Sequence, residues 1–530
     1  MNIRKTRGVV ALVAAAALLL SACGGDSSAS SSGVVTVRGN EPQNLLIPTN
    51  TNEVGGGNII DLLFAGLTVL TPEGELEYEV AKSIESDDYT NWTITLNEGW
   101  KFSDGSAVTS ASFVDAWKAG TYDLNTYFFS HILGYDAEAE SELTGLEVIS
   151  DTEFKVTLDD ASPEFPMLLS YSAFYPQTAE AIADRDTYGE APIGNGPYLL
   201  EAWDHDVEAR LVPNPDYEGA RKAQNGGVTF KFYTDLDAAY NDLLANQLDV
   251  LDQIPDSAFS TYQEELGDRS VLQAAAIFQS FTINGGEEHF GFDEEGALRR
   301  QALSMAIDRA EITEAIFGGT RLPATDFTSP VVVGFSEDIP GNEVTSFNPE
   351  RARELWDEAD ERFGTYDDTF TLAYNSDGGH QAWVDAITNQ LKNNLGINAE
   401  GNPYAQFSEL RKDVTDRTIT GGFRTGWQGD VPAMSNFLGP LYGTNAGSND
   451  SDYANPEFDQ LVRDGQLLLA DDAAAAADKF NEAQELLFRD LPVIPLWYQS
   501  VAGGWSENVE NVVFAWNSVP ALYQITKDAA

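Results

Sequence analysis

Phe370-Thr371-Leu372-Ala373-Tyr374, followed by Trp383, Ile387, Leu391 and Leu395 and then by Gly396-Ile397, is the stretch on which the fold class rests. The first five residues read as a strand. The next four recur at every fourth position, which gives a helix over residues 380–395 a single apolar face. Gly396 stops that helix, because glycine adopts a helix C-terminal cap without steric cost. Ile397 begins a second strand. Strand, helix and strand within about 30 residues make a parallel βαβ unit, and the chain is assigned to the α/β class.

The alternation extends in both directions. Upstream, Thr36 to Arg38 makes a strand ended by Asn40-Glu41-Pro42, and Ile59, Ile60, Leu62, Leu63 and Phe64 fit a helix with a wide apolar face. Trp92-Thr93-Ile94-Thr95-Leu96 alternates as a half-buried strand does, with turns at Asn97-Glu98-Gly99 and Ser103-Asp104-Gly105. Thr109 or Ser110 caps a helix carrying Phe113, Val114 and Trp117 on one face. Phe154, Val156 and Leu158 mark another strand, and Ser162-Pro163 starts a further helix with proline at a tolerated first position. Ala191-Pro192-Ile193-Gly194-Asn195-Gly196-Pro197-Tyr198 has the composition of a boundary and a hinge. Beyond it, Val228, Phe230 and Phe232 form a strand, Leu236, Tyr240, Leu243 and Leu244 a helix, and Phe281 and Ile283 the end of a strand. Downstream of the βαβ unit, Asn455-Pro456 caps a helix, Ala473 to Leu491 makes another, and Pro492 and Pro495 bracket a last apolar stretch ending at Trp497 and Tyr498.

The N-terminus reads as an address. Arg4, Lys5 and Arg7 precede an apolar run from Val9 to Leu20, and small residues follow, which is the order of a secretory signal. The run is shorter than the roughly 20 residues that span a bilayer. Cys23, the only cysteine of the chain, follows Leu20-Ser21-Ala22. That segment resembles a bacterial lipoprotein box, in which cleavage exposes the cysteine for lipidation. Residues 1–22 are read as signal and 23–33 as a lipidated Cys23 with a flexible Gly/Ser tether. The expected location is the extracytoplasmic face of the cell membrane, facing the periplasm where the organism has an outer membrane.

The chain has 530 residues and a net charge of −55, from 85 acids against 30 bases. This argues against nucleic acid or an anionic membrane surface as partner. It does not by itself imply a cationic substrate, because a solvated acidic shell explains it equally. No Gly-x-Ser-x-Gly elbow, Walker loop or His-Glu-x-x-His helix occurs, and the four histidines are scattered. Asn449-Asp450-Ser451-Asp452 lacks the glycine and glutamate of a calcium loop. No catalytic residue, metal or cofactor is expected. A carboxylate pair acting as a surface hydrolase stays open, since 85 acids make chance pairs inevitable.

Phe423-Arg424-Thr425-Gly426-Trp427-Gln428-Gly429-Asp430 reads as a loop, loosened by two glycines, that brings a cation, an indole and a carboxylate within seven residues. It can offer an acid to an ammonium, with an aromatic wall beside it. Equally, Asp430 can serve a turn, Trp427 the core, and Arg424 the solvated surface.

A resemblance narrows this. Trp92 to Leu96 with Trp100-Lys101-Phe102-Ser103-Asp104-Gly105, Val108-Thr109-Ser110, Phe113 and Trp117 is similar to the signature stretch of the oligopeptide- and dipeptide-binding proteins that feed ABC transporters. Gly194-Asn195-Gly196-Pro197-Tyr198, Asn214-Pro215-Asp216-Tyr217 and Ala306-Ile307-Asp308-Arg309 resemble that family's motifs in the family's order. The resemblance implies a periplasmic-binding-protein-like α/β fold of type II in its large three-lobed form, with ligand enclosed between two lobes. Lobe I would hold residues 34–75, 195–283 and 503–530, lobe II 76–194, and lobe III 284–502. It implies a monomeric, non-enzymatic receptor whose partners are a peptide and the permease subunits of an ABC importer, with the membrane reached through the lipid. The same fold also carries other solutes, such as nickel chelates and glycans. Carried over residue by residue, Asp430 would bind the peptide ammonium, and Gly426, Trp427 and Gln428 would pair with the peptide backbone. Asn52, Glu53 and Val54 would pair from the other side. Arg424 would receive carboxylates, His380 would meet the far end of some peptides, and Tyr404 would stand as an aromatic wall.

Overall fold

The computed structural model describes residues 33–136 and 141–528, so the signal, Cys23 and most of the tether lie outside the described residues. The βαβ unit forms as its spacing predicts. Thr369–Asn375 and Asn398–Tyr404 pair in parallel, with Phe370 opposite Ala399. The crossover helix Gln381–Leu395 buries Trp383, Ile387, Leu391 and Leu395 and ends at Gly396 in the left-handed region, φ 79°.

That unit forms one end of an eleven-stranded mixed sheet. From it the order runs Asn398–Tyr404, Thr369–Asn375, Gly422–Gln428, Ser270–Ile283, Val493–Trp505, Val250–Leu251, Val35–Gly39, Val228–Phe232, Glu208–Pro213 and Tyr198–Asp204, with Arg321–Pro323 on the side of Val493–Trp505. The final apolar stretch thus extends past Tyr498, through Pro495, as a strand reaching Trp505.

Three large hydrophobic cores pack around this frame. One collects Val37, Ile59, Leu63, Phe230 and Val501. A second, built on a separate four-stranded sheet, collects Trp92, Phe113, Trp117 and Phe154. The largest holds Phe281, Phe370, Trp383, Ile387 and Trp497. The two long strands pass from core to core: Val271 and Val501 pack in the first, while Ala276 and Tyr498 pack in the largest. Fourteen residues of strand extend about 45 Å, enough to serve both. The change of core falls within the strands, near residues 275 and 500. The ladder is irregular at that point, stepping from Ala274↔Ser500 to Phe278↔Tyr498. The second core includes Ala65 and Leu67 as well as Tyr217.

Three local expectations are corrected. The helix after Ser162 starts at Phe165, with Pro166 in its first turn. The 191–198 segment is a tight clasp, not a hinge: a Cβ on Gly194 would lie 2.0 Å from the Leu63 carbonyl oxygen, and one on Gly196 would lie 2.5 Å from the backbone of Leu63 and Phe64. Asn195 locks it by bonding both the N–H and the carbonyl of Ala65, at 2.9 and 3.0 Å. Finally, Phe423 to Gln428 is a strand rather than a loop, because Phe423 is buried and Thr425 bonds Ser280 and Thr282 on the neighbouring strand.

Candidate functional site

The strand Gly422–Gln428 has two different edges. Toward Ser270–Ile283 it is laddered along its whole length, from Gly422↔Ile283 to Gln428↔Ile277. Toward Thr369–Asn375 it is laddered only at Gly422 and Phe423. There the two strands separate, and Arg424 Nε donates to Asn375 Oδ1 at 2.8 Å where they part. From Thr425 to Gln428 no strand among the described residues covers the second edge. Gly426 is exposed on it. Open edges are templates for another extended chain.

Asp430 stands two residues beyond the end of this strand. Its Oδ2 accepts from Asn436 Nδ2 at 3.0 Å and from the Tyr127 hydroxyl at 3.4 Å, and its N–H donates to Asn436 Oδ1 at 2.8 Å. Its Oδ1 accepts no hydrogen bond among the described residues. Burial pushes the carboxyl up to about 6, against the lowering effect of the Asn436 and Tyr127 bonds. A cation facing Oδ1 would supply the countercharge that this half-buried acid has nowhere else.

Two cavities flank the strand. The first, about 310 Å³, is lined by Asn52, Glu53, Val54, Asp61, Tyr171, Gln428 and Asp430 among others. The second, about 360 Å³, is lined by Asn52, Phe407, Arg411, Arg424, Gly426 and Trp427 among others. Asn52 borders both. Eight of the ten expected ligand residues therefore come together along one trench: Asn52, Glu53, Val54, Arg424, Gly426, Trp427, Gln428 and Asp430.

The other two lie outside the lining of both cavities. The His380 imidazole accepts the Trp383 indole N–H at 3.1 Å, and the hydroxyl of Tyr404 donates to Asp413 at 2.9 Å beside a small apolar cluster of Ala373, Leu410, Val414 and Phe423. Each is held by a partner close to it in sequence. The 52–54 segment is also only partly edge-like. Thr51 and Glu53 are extended, but helix Val54–Leu63 begins at once, and Glu53 caps it by accepting from the Gly56 N–H at 3.0 Å.

Three residues around Asp430 escaped sequence reasoning: Tyr171 lines the first cavity, and Tyr127 and Asn436 bond the Asp430 carboxylate. Tyr127 and Tyr171 come from the second core, and Asn436 from helix Met434–Tyr442. The aromatic run Tyr127-Phe128-Phe129 was the one available signal for the first. Burial together with the carboxylates of Asp430, Asp61 and Glu53 raises the Tyr171 hydroxyl well above its ordinary value. Arg221 faces the first cavity too, but Glu79 holds it through two 2.9 Å bonds. Arg424 lies with its guanidinium 4.6 Å above the Phe407 ring, a cation–π arrangement. In the Asn449–Asp452 segment, Asp450 and Asp452 pair with Arg411 and Arg417. Among the described residues no cluster of His, Cys, Asp or Glu could hold a metal ion, and no helix is long and apolar enough to cross a membrane.

Comparison with known proteins gives a consistent answer. The sequence profile of the bacterial extracellular solute-binding proteins, family 5 Middle, matches residues 75–449. The chain is 26% identical over 499 residues to the oligopeptide-binding protein OppA of Bacillus subtilis (strain 168), covering 88% of each chain. Its fold is that of the murein tripeptide binding protein MppA of Escherichia coli, with a TM-score of 0.81 at 22% identity over 95% of this chain and 99% of that one. It is likewise that of Haemophilus influenzae OppA in complex with RPPGFSPFR, at 0.79, 22%, 94% and 99%. The architecture is thus the two-lobed, type II α/β fold of the periplasmic peptide-binding proteins.

Proposed function

Because this chain belongs to the bacterial extracellular solute-binding proteins of family 5, we propose that it is an extracytoplasmic receptor that captures peptides by backbone and amino terminus and delivers them to an ABC importer. The observation that carries the reading is the open edge of Gly422–Gln428, leading to the free Oδ1 of Asp430. A peptide adding a strand to that edge gains main-chain hydrogen bonds that any sequence can make. Its ammonium meets Asp430, and the cavities beside the strand take its side chains. The three cores would be those of three lobes, two of which enclose the ligand. The first and the largest are joined by the two long strands, whose irregular ladder near Ala274 and Ser500 is the place where they would hinge. A ligand that bridges both lobes favours the closed form, which is the form a permease would receive. Lipid on Cys23 would hold the monomer at the membrane by the tether that follows it.

Native mass spectrometry of the soluble body, Gly33 to Ala530, tests this directly when bound material is released and sequenced. A ladder of co-purified peptides with free amines and mixed side chains is the expected result. A non-peptide mass would keep the fold and replace the cargo.

A further inference from the structure

The side chain of Asn436 touches the site at three points. Its Oδ1 accepts the backbone N–H of Asp430 at 2.8 Å and the indole N–H of Trp427 at 3.3 Å, and its Nδ2 donates to Asp430 Oδ2 at 3.0 Å. The amide orientation is fixed by this pattern: reversing it would set the NH₂ against two N–H donors and its oxygen against a carboxylate. The residue is 7% exposed, and its neighbours Phe437 and Leu438 are fully buried in the largest core. The amide is therefore carried on a rigid support.

We propose that Asn436 is the positioning residue of the amine anchor: it turns the Asp430 carboxylate so that Oδ1 faces the ligand, and it sets the Trp427 indole beside it. The inference rests on Asp430 being that anchor. Asp430 follows Gly429 beyond the last ladder pair at Gln428, where the backbone alone does not fix the carboxylate. The other donor to Oδ2, Tyr127, belongs to a different core and bonds at 3.4 Å. An opening that carried the second core away together with the first would break that bond, whereas Asn436, Asp430 and Trp427 would move together. Asn436 keeps the anchor aimed in the open protein, so that capture does not require ordering it anew.

The role has a signature that mere structural support lacks. Nδ2–H stabilises the ionised carboxylate, so removing it raises the protonation midpoint of Asp430 as well as weakening the amine contact. The experiment compares wild type, Asn436→Leu and Asn436→Asp for a free-amine tetrapeptide and its N-acetyl form, by calorimetry between pH 5 and 8. Asn436→Leu is expected to cost the free-amine peptide about tenfold to a hundredfold in affinity, to leave the acetylated one unchanged, and to move the acid midpoint above its wild-type position. Asn436→Asp keeps the acceptor for Asp430 N–H and the indole but adds a like charge, and it should move the midpoint further still. It carries the test if the leucine variant does not fold. A variant that retains the full free-amine preference and the wild-type midpoint overturns the assignment, as do equal losses for both peptides. A wild type that binds both peptides alike overturns the amine anchor itself and Asn436's role with it.

Discussion

The hydroxyl of Tyr127 reaches Asp430 across 303 positions of sequence, donating to Oδ2 at 3.4 Å. The two residues belong to different cores, and a second bond joins the same pair of cores nearby, from Ser435 Oγ to Glu164 Oε1 at 2.6 Å. The aromatic core that begins at Ala65 thus closes one wall of the trench beyond the end of the open strand. The Asp430 carboxylate is desolvated from that side by protein that is remote in sequence, which is why its carboxyl is held so far above an exposed aspartate.

Asp430→Asn keeps the shape and the bonds to Asn436 and Tyr127 but removes the charge. An enclosed ammonium without its partner costs about 3–5 kcal/mol, or roughly 10² to 10³ in affinity. Calorimetry with a free-amine peptide should show that loss, and N-acetylation of the peptide should bring about a comparable loss on the wild-type protein. Thermal stability of the variant should not fall, because the substitution takes a buried charge away. An unchanged affinity would remove Asp430 from the site.

The pH dependence has opposite signs for binding and for stability. Asp430 must be ionised to meet an ammonium, and in the free protein it is held up to about 6. Affinity should be full above that value and decline by about tenfold per pH unit below it, until the lower pKa of the complex is reached. It should decline again above about 8, where the peptide amine loses its proton. For the ligand-free fold, the native state holds a proton that the unfolded chain has already lost between about pH 4 and 6. Its contribution to stability is therefore greatest below the unfolded value of 3.8 and is lost as pH rises through 6. Asp326, fully buried and also raised to about 6, adds the same sign. Denaturation midpoints of wild type and Asp430→Asn across pH 4–8 should converge at the acid end and separate above pH 6, with the variant the more stable.

Gly426 offers a test of the open edge. A Cβ there would meet only Phe278 O at 3.4 Å and Gln279 Cγ at 3.7 Å, both ordinary contacts. The strand does not need glycine, and a β-branched residue suits a strand better. Gly426→Val should leave stability unchanged or raised by a few tenths of a kcal/mol, while the side chain crowds an incoming backbone and lowers peptide affinity at least tenfold. Equal affinity for wild type and variant would mean that the ligand does not run along this edge.

The βαβ unit was legible because its helix carries its own apolar spacing and its own stop at Gly396, both local properties. The strand Gly422–Gln428 was not. Two glycines, an arginine and a nearby aspartate are poor strand formers, and what makes them a strand is the pairing of Thr425 with Ser280, supplied by a segment about 145 residues away. Strand preference is largely this kind of packing. Eight of the ten residues expected from the resemblance line the two cavities, as residues placed by a shared backbone would. His380 and Tyr404 do not, and Trp383 and Asp413 claim their side chains locally. Asn436 was invisible for a related reason: an asparagine in a first helical turn reads as a cap, and only the fold shows its amide turned back onto Asp430.

The junction of the first two cores rests on a buried ion pair. Arg221 bonds Glu79 through Nε and Nη2, both at 2.9 Å, and also donates to the carbonyls of Asp61 at 2.6 Å and Phe64 at 3.0 Å. These carbonyls belong to the C-terminal end of helix Val54–Leu63, so the guanidinium also complements that helix's negative pole. The Tyr217 hydroxyl completes the shell of Glu79. Glu79→Ala leaves Arg221 buried with carbonyls alone and should cost about 3–5 kcal/mol, read from urea denaturation. The double variant Glu79→Met with Arg221→Met removes both charges and should recover a large part of that loss. Because Asp61 and Arg221 both line the first cavity, the single variant should also weaken peptide binding, and the double variant should show whether that weakening follows the stability or the charge.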